Sequence, residues 1–347
     1  MHKIEKWIEE KQKTKGLSFF KGCLYFLSLF FKSGVFIRHA FYGRKLFETV
    51  EVDLPIISVG NIVCGGTGKT EFVGKLITDL KRNGVAVLTR GYRSKRGGAS
   101  ALVKDIDDGD EPFMLANRLK NSFVIRGLRR EESAKLAETL GACGCILDDG
   151  MQYLRLKKDI SIAMISASDP ISQGFVPFGM RRELLSQLRK VDYIGIHGAK
   201  NQELYELVKK DLLCYGSAKF FGTTYCLKEN KRLAGKKVGV FCGIGNPQFF
   251  IEGLRALNLD IVKSKILADH EKCTGLLEFV QLSQSLGAEI VVCTAKDFVK
   301  LSIEEKKLVI PIQISMEIEY DVDVYRSLLE QVNDSIENYK QRTKEKL

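Results

Sequence analysis

The chain has 347 residues, 45% of them hydrophobic and 28% charged, enough to bury cores for about two domains and too apolar for a disordered chain. Its net charge of +11 is uneven: residues 1–50 carry ten Lys or Arg against four Glu, and a basic segment of this kind seeks either nucleic acid or anionic lipid. Nine scattered cysteines without a CxxC pair read as reduced core thiols of a cytosolic protein, not as a disulfide framework or a zinc site.

The first residues do not form a secretory signal, because the apolar run starts late and no small-residue cleavage site follows it. Leu17–Phe31 reads LSFFKGCLYFLSLFF, and its longest uncharged stretch falls well short of the ~20 residues that span a bilayer. On a helix, Ser18, Lys21, Tyr25, Ser28 and Lys32 form one narrow polar stripe, and Phe19, Phe20, Leu24, Phe26, Leu27, Leu29, Phe30 and Phe31 cover the rest. With basic flanks, such a helix over 17–32 suits a membrane surface; the competing reading buries it in the protein's own core.

From Pro55 onward, apolar strands alternate with amphipathic helices. Strands are predicted at Ile56–Val59, Val85–Thr89, Ser122–Ile125, Cys145–Leu147, Ile160–Ile165 and Tyr193–Ile196, with helices through about 82 and over 131–140. This alternation implies a parallel sheet with helices on both faces and sites at the carboxyl ends of the strands. A second series begins near 236, with strands at Val238–Phe241, Ile261–Ile266, Glu289–Cys293 and Leu308–Ile310 and a helix over 273–286. Residues 216–235 read as the connection, and the tail from Asn338 as a charged helix end or frayed terminus. The expected architecture is α/β: a P-loop NTPase-like parallel sheet over 46–225, a smaller α/β domain over 226–347 closing over the nucleotide, and a membrane-surface helix within 1–45.

The strand at Ile56–Val59 runs into Gly60-Asn61-Ile62-Val63-Cys64-Gly65-Gly66-Thr67-Gly68-Lys69-Thr70 and then a helix. Glycines let the backbone curl so that amides face phosphate oxygens, and the helix N-terminus adds positive potential. Gly65, Gly66, Thr67 and Gly68 form the cradle, Lys69 reaches the β- and γ-phosphates, and the Thr70 hydroxyl holds Mg²⁺. The strict pattern has glycine where this chain has Val63. At the end of another apolar strand, Asp148-Asp149-Gly150 supplies the acidic partner for magnesium.

Other candidates are Arg90-Gly91-Tyr92, Arg129 and Arg130, and Arg181-Arg182-Glu183, since guanidinium groups bind phosphates as a fork. Asp110, in Gly109-Asp110-Glu111-Pro112, is either a base for an attacking hydroxyl or part of a solvated acidic loop. His270, in Asp269-His270-Glu271, is either structural or the orienting partner of such a base. Thr294-Ala295-Lys296-Asp297 places lysine third where a guanine-reading motif places it second, which excludes GTP specificity and leaves a strand-end turn.

These segments, in this order, resemble the tetraacyldisaccharide 4′-kinase family of lipid A biosynthesis. Its SVGNxxxGGTGKT is present as Ser58–Thr70, SRGY resembles Thr89–Tyr92, GDEP is Gly109–Pro112, and DDGFQH resembles Asp148–Tyr153. AGPLRE corresponds to Phe178–Glu183, GIGNP to Gly243–Pro247, and TEKD to Thr294–Asp297. Tyr153 stands in place of the family's histidine. The resemblance implies transfer of the γ-phosphate of ATP, with Mg²⁺, to the 4′-hydroxyl of an acylated glucosamine disaccharide 1-phosphate. Asp110, His270 and Lys69 are then catalytic, Thr70, Asp148 and Asp149 serve the metal, and Tyr92, Arg130, Gln152 and Arg182 meet substrate. The implied location is the cytoplasmic face of the bacterial inner membrane, on its inner leaflet. The rival is a membrane-associated P-loop ATPase acting as a regulatory switch. Nucleic acid is not an expected partner: it calls for aromatics interleaved with Lys or Arg, whereas these are contiguous and apolar.

Overall fold

Runs of β-branched and aliphatic residues bounded by glycines make the strands, buried on both faces as a helix-covered parallel sheet requires. The computed structural model describes residues 18–92, 94–228, 233–244, 247–267 and 274–345. The strands are β1 Ile56–Gly60, β2 Val85–Thr89, β3 Ala101–Leu102, β4 Phe123–Arg126, β5 Gly144–Asp148, β6 Ile160–Ser166, β7 Tyr193–His197, β8 Lys219–Leu227, β9 Lys237–Cys242, β10 Asp260–Ile266, β11 Ile290–Thr294, β12 Val309–Ile312 and β13 Ile314–Tyr320. A nine-stranded sheet has the order β13-β8-β7-β6-β1-β5-β2-β4-β3, and a four-stranded one the order β10-β9-β11-β12.

In the large sheet β1 lies between β5 and β6, parallel to both, with Ile57 opposite Ile146 and Ile160. The chain order reverses on either side of β1, and such a switch point opens a crevice at the carboxyl ends of the strands. By strand register, two apolar clusters pack side by side on one face of the sheet. One joins Ala163, Ile194 and Phe220 to Tyr205 and Leu212 of helix Gln202–Leu213; the other joins Ile56, Ala86 and Cys145 to Ala134 and Ala137 of helix Arg130–Thr139. In the small sheet, all strands run parallel.

The chain divides into two compact units, one reaching Thr224 and resuming at Ile318, the other spanning Tyr225–Glu317. Residues from Ile318 onward, expected in the second domain, therefore belong with the first. The cause is helix Val322–Glu345, whose buried face repeats as Tyr325, Leu328, Val332 and Ile336. Tyr325 packs on Phe72 and Phe221, with ring centroids 6.1 and 5.6 Å away, and its hydroxyl donates to Asp79 at 2.8 Å. Arg82 completes the seam by donating to Asn333 and Glu337.

The amino-terminal helix runs over Ser18–Gly43, longer than the predicted 17–32. Leu24, Ser28 and Val35 turn inward, while Phe26, Phe30, Phe36, Ile37 and Phe41 are exposed. So much contiguous apolar surface marks an interaction face. Among the described residues no helix is long and apolar enough to cross a membrane.

Leu328 is fully buried, so Leu328→Ala should lower the unfolding free energy by about 2–5 kcal/mol in urea denaturation. A loss below about 1 kcal/mol would show that the helix is not part of the first unit's core.

Candidate active site

The segment between β1 and helix Lys69–Leu80 folds as a phosphate cradle because glycine supplies its left-handed residues: Gly65 has φ 104° and Gly68, capping the helix, has φ 77°. Val63, where the strict pattern has glycine, is extended and pairs with Arg181 in an isolated bridge. The turn falls two residues later, at Gly65, so a β-branched residue fits at 63. Gly60 allows a second close approach, because a Cβ there would collide with Met151. That contact lays the Asp148–Gln152 segment against the cradle.

The charges converge there. The Thr70 hydroxyl donates to Asp148 Oδ2 at 3.2 Å, and Lys69 Nζ lies 3.7 Å from Asp149 Oδ1. Arg182 places its fork on both oxygens of Asp149, with Nη1 to Oδ2 at 3.0 Å, and also donates to Asn61. Asn61 Nδ2 in turn donates to the Thr67 hydroxyl at 2.9 Å. Asp149 occupies the left-handed region at φ 60°, a conformation costly for a non-glycine residue and retained at functional sites.

Burial drives the Asp148 carboxyl up to about 7, with Glu111 and Asp149 adding like charge against the pull of Lys69 and Thr70. Asp149 takes the opposite course: burial works against its charge, but Lys69 and Arg182 outweigh it and hold it at about 2. Burial also lowers the Lys69 ammonium, offset in part by Asp149. Neighbouring carboxylates thus have distinct characters, one ion-paired and one desolvated. Asp148 Oδ1 is buried with no hydrogen-bond partner among the described residues. An orphaned carboxylate oxygen beside the Thr70 hydroxyl fits a divalent cation that also takes phosphate oxygens.

Asp110 is the first residue of helix Asp110–Arg118, at whose cap a Cβ on Gly109 would lie 2.7 Å from the Tyr92 carbonyl oxygen. The Arg90–Tyr92 turn and the Gly109–Pro112 loop are thereby brought together. Gln152 donates to the Asn61 carbonyl at 2.7 Å. Arg130 is buried, donates to the Gly127 carbonyl, and faces Asp148 and Asp149; burial lowers its guanidinium to about 10. Tyr153, in the family's histidine position, accepts from the Arg130 amide at 3.0 Å and donates to Glu131. His270 lies outside the described residues. Asp297 is buried, accepting from the Gly243 amide at 2.8 Å and the Thr294 hydroxyl at 2.7 Å. The Thr294–Asp297 turn therefore ties the end of β11 to the end of β9 within the second unit.

Sequence reasoning missed Asn61, which joins Thr67, Arg182 and Gln152, and Glu111, whose charge acts on both Lys69 and Asp148. Each lies inside a quoted motif, so position in the motif was the available signal. Their partners are distant in the chain.

A glycine cradle between strand and helix, a lysine and hydroxyl at its end, and an acidic pair on the adjacent strand define a phosphate-loop nucleotide-binding protein. Residues 20–334 match the family model for tetraacyldisaccharide-1-P 4′-kinase. A tetraacyldisaccharide 4′-kinase of Syntrophus aciditrophicus is 32% identical, over 94% of this chain and 97% of that protein. Another, from Haemophilus influenzae, is 33% identical, over 76% of this chain and 79% of that protein. Among solved structures, LpxK from Aquifex aeolicus in complex with ATP superimposes with a TM-score of 0.75 at 24% identity, covering 91% of this chain and 99% of that one. The chain belongs to the tetraacyldisaccharide 4′-kinase family.

In the folded chain Asp148 keeps its proton up to about pH 7, whereas in the unfolded chain it loses it near the ordinary 3.8. The stability this group contributes is complete below the lower value and lost as pH rises through the higher one. Asp148→Asn cannot ionise, so its melting temperature should gain on that of the unaltered chain between about pH 5 and about pH 8. Parallel profiles would contradict the desolvated state of Asp148.

Proposed function

We propose that the chain is an ATP-dependent lipid kinase that phosphorylates the 4′-hydroxyl of a tetraacyldisaccharide 1-phosphate. The observation that carries this reading is the convergence of Lys69, Thr70, Asp148 and Asp149 on the glycine cradle, in a chain whose relatives are named for that reaction. The cradle amides and Lys69 bind the β- and γ-phosphates. Thr70 and Asp148 would hold Mg²⁺, which would offset charge on the phosphate oxygens. Asp149, gripped by Arg182, keeps the Lys69 ammonium aimed along the loop.

Asp110 accepts the proton of the 4′-hydroxyl. The 4′-oxygen bonds to the γ-phosphorus as the bond from that phosphorus to the β–γ bridging oxygen breaks, and ADP leaves. Tyr92 and Gln152 border this region and are assigned to the sugar phosphate, with Arg130 supplying positive potential behind the acidic pair. For His270 the assignment as orienting partner rests on the resemblance alone. The exposed aromatic face of the amino-terminal helix rests on the inner leaflet, where the acylated substrate resides.

Radiolabelled ATP with the acylated disaccharide 1-phosphate in mixed micelles tests the reaction. The unaltered chain should label the lipid, Lys69→Ala should abolish labelling, and Asp110→Asn should slow it by roughly 10²–10⁴-fold. Hydrolysis of ATP without lipid labelling would favour the switch instead. For the membrane, replacing Phe26 and Phe30 together by Glu should release the chain from anionic vesicles in co-sedimentation. Retained binding would sink the surface-helix assignment.

A further inference from the structure

The amino-terminal helix does not merely lie on the first unit; it is keyed to it. Residues 172–183 form a strap beneath it. Tyr25 meets Phe178 edge-on at 5.5 Å between ring centroids, and Phe31 meets Phe175 at 6.3 Å. At the end of the strap the Glu183 side chain is wholly buried. Its carboxylate accepts from Arg38 Nη2 at 3.0 Å, and His39 Nε2 lies 2.6 Å from its other oxygen. Lys158 also faces Glu183 and donates to the Met151 carbonyl at 3.1 Å, on the turn that follows Asp149.

The same strap is stitched to the cradle. The Cys64 amide donates to the Met180 carbonyl at 2.6 Å, and the amides of Arg182 and Glu183 both donate to the Ile62 carbonyl, at 2.9 and 3.2 Å. Arg182, adjacent to Glu183, grips Asp149 and Asn61, and Asn61 holds Thr67 inside the phosphate loop. A carboxylate that deep is tolerated only while its hydrogen-bonding partners face it. Two of those partners, Arg38 and His39, belong to the helix. A helix shifted by one turn, ~5.4 Å, would face Glu183 with neither.

We propose that Glu183, held by Arg38 and His39, is a positioning residue that sets Arg182 and through it the phosphate loop, so that docking of the amino-terminal helix tunes affinity for ATP. This rests on the reading of the loop as the ATP site. A helix acting only as a membrane anchor predicts something different: its variants would lose vesicle binding and raise the KM for lipid while leaving ATP untouched.

The test uses the full chain in detergent micelles, without vesicles, titrated with a fluorescent ATP analogue and assayed for kcat and the KM for ATP. His39→Ala and Glu183→Gln should weaken analogue binding and raise that KM by roughly 5–20-fold, with kcat changing less. His39→Gln, whose side-chain amide nitrogen takes the place of Nε2, should restore both. Co-sedimentation with phosphatidylglycerol vesicles should stay unchanged in all three, since none alters the exposed aromatic face. Analogue affinity within about twofold of normal in His39→Ala, or a loss that His39→Gln fails to restore, would overturn the proposal. An unaltered chain that binds no analogue would overturn the ATP reading with it.

Discussion

The site depends on one constraint: two parallel neighbours, β1 and β5, must end side by side closely enough for a lysine and a hydroxyl from one loop to meet two carboxylates from the other. Pairing of Val59 with Asp148 in the sheet sets the level at which the loops leave. The absence of a side chain on Gly60 then lets the Met151 backbone close in. The electrostatics follow from this approach. Asp149 stays ionised because Lys69 and Arg182 surround it, while Asp148, drawn inward, becomes a carboxyl whose charge burial disfavours.

A second layer of residues holds that geometry. Asn61 ties Thr67 to Arg182, Tyr153 ties the start of helix Arg130–Thr139 to Glu131, and Asp108 and Arg126 form a buried pair at 2.5 Å beside the Gly109–Pro112 loop. Here Tyr153 fills its position structurally, because its hydroxyl both accepts and donates. Around this layer the amino-terminal helix offers an apolar face outward and a charged contact inward, which makes it a surface element and a structural one together.

The short apolar strands, the glycine cradle and the acidic pair were legible because each is written locally: period-two or continuous apolar runs, glycines that permit left-handed backbone, and carboxylates at a strand end. The amphipathic amino-terminal helix was legible for the same reason, although its polar stripe did not reveal which way it faces; Ser28 of that stripe turned out to be buried. The carboxyl-terminal helix also carries its apolar repeat in sequence. Its place in the first unit was not readable, because chain order suggested the second series while the partners of Tyr325, Phe72 and Phe221, are far apart in sequence.

By itself the sequence determined where the candidate site lies, since a glycine-rich loop between strand and helix, an ammonium at its end and a pair of carboxylates at a strand end are matters of residue type and spacing. Only the tertiary structure decided which carboxylate is ion-paired and which is desolvated, that Glu111 acts on both Lys69 and Asp148, and that Glu183 is buried against His39 and Arg38. Burial and charge proximity depend on distance in space, and a chain fixes such distances only after its sheet order and helix packing have brought remote segments together.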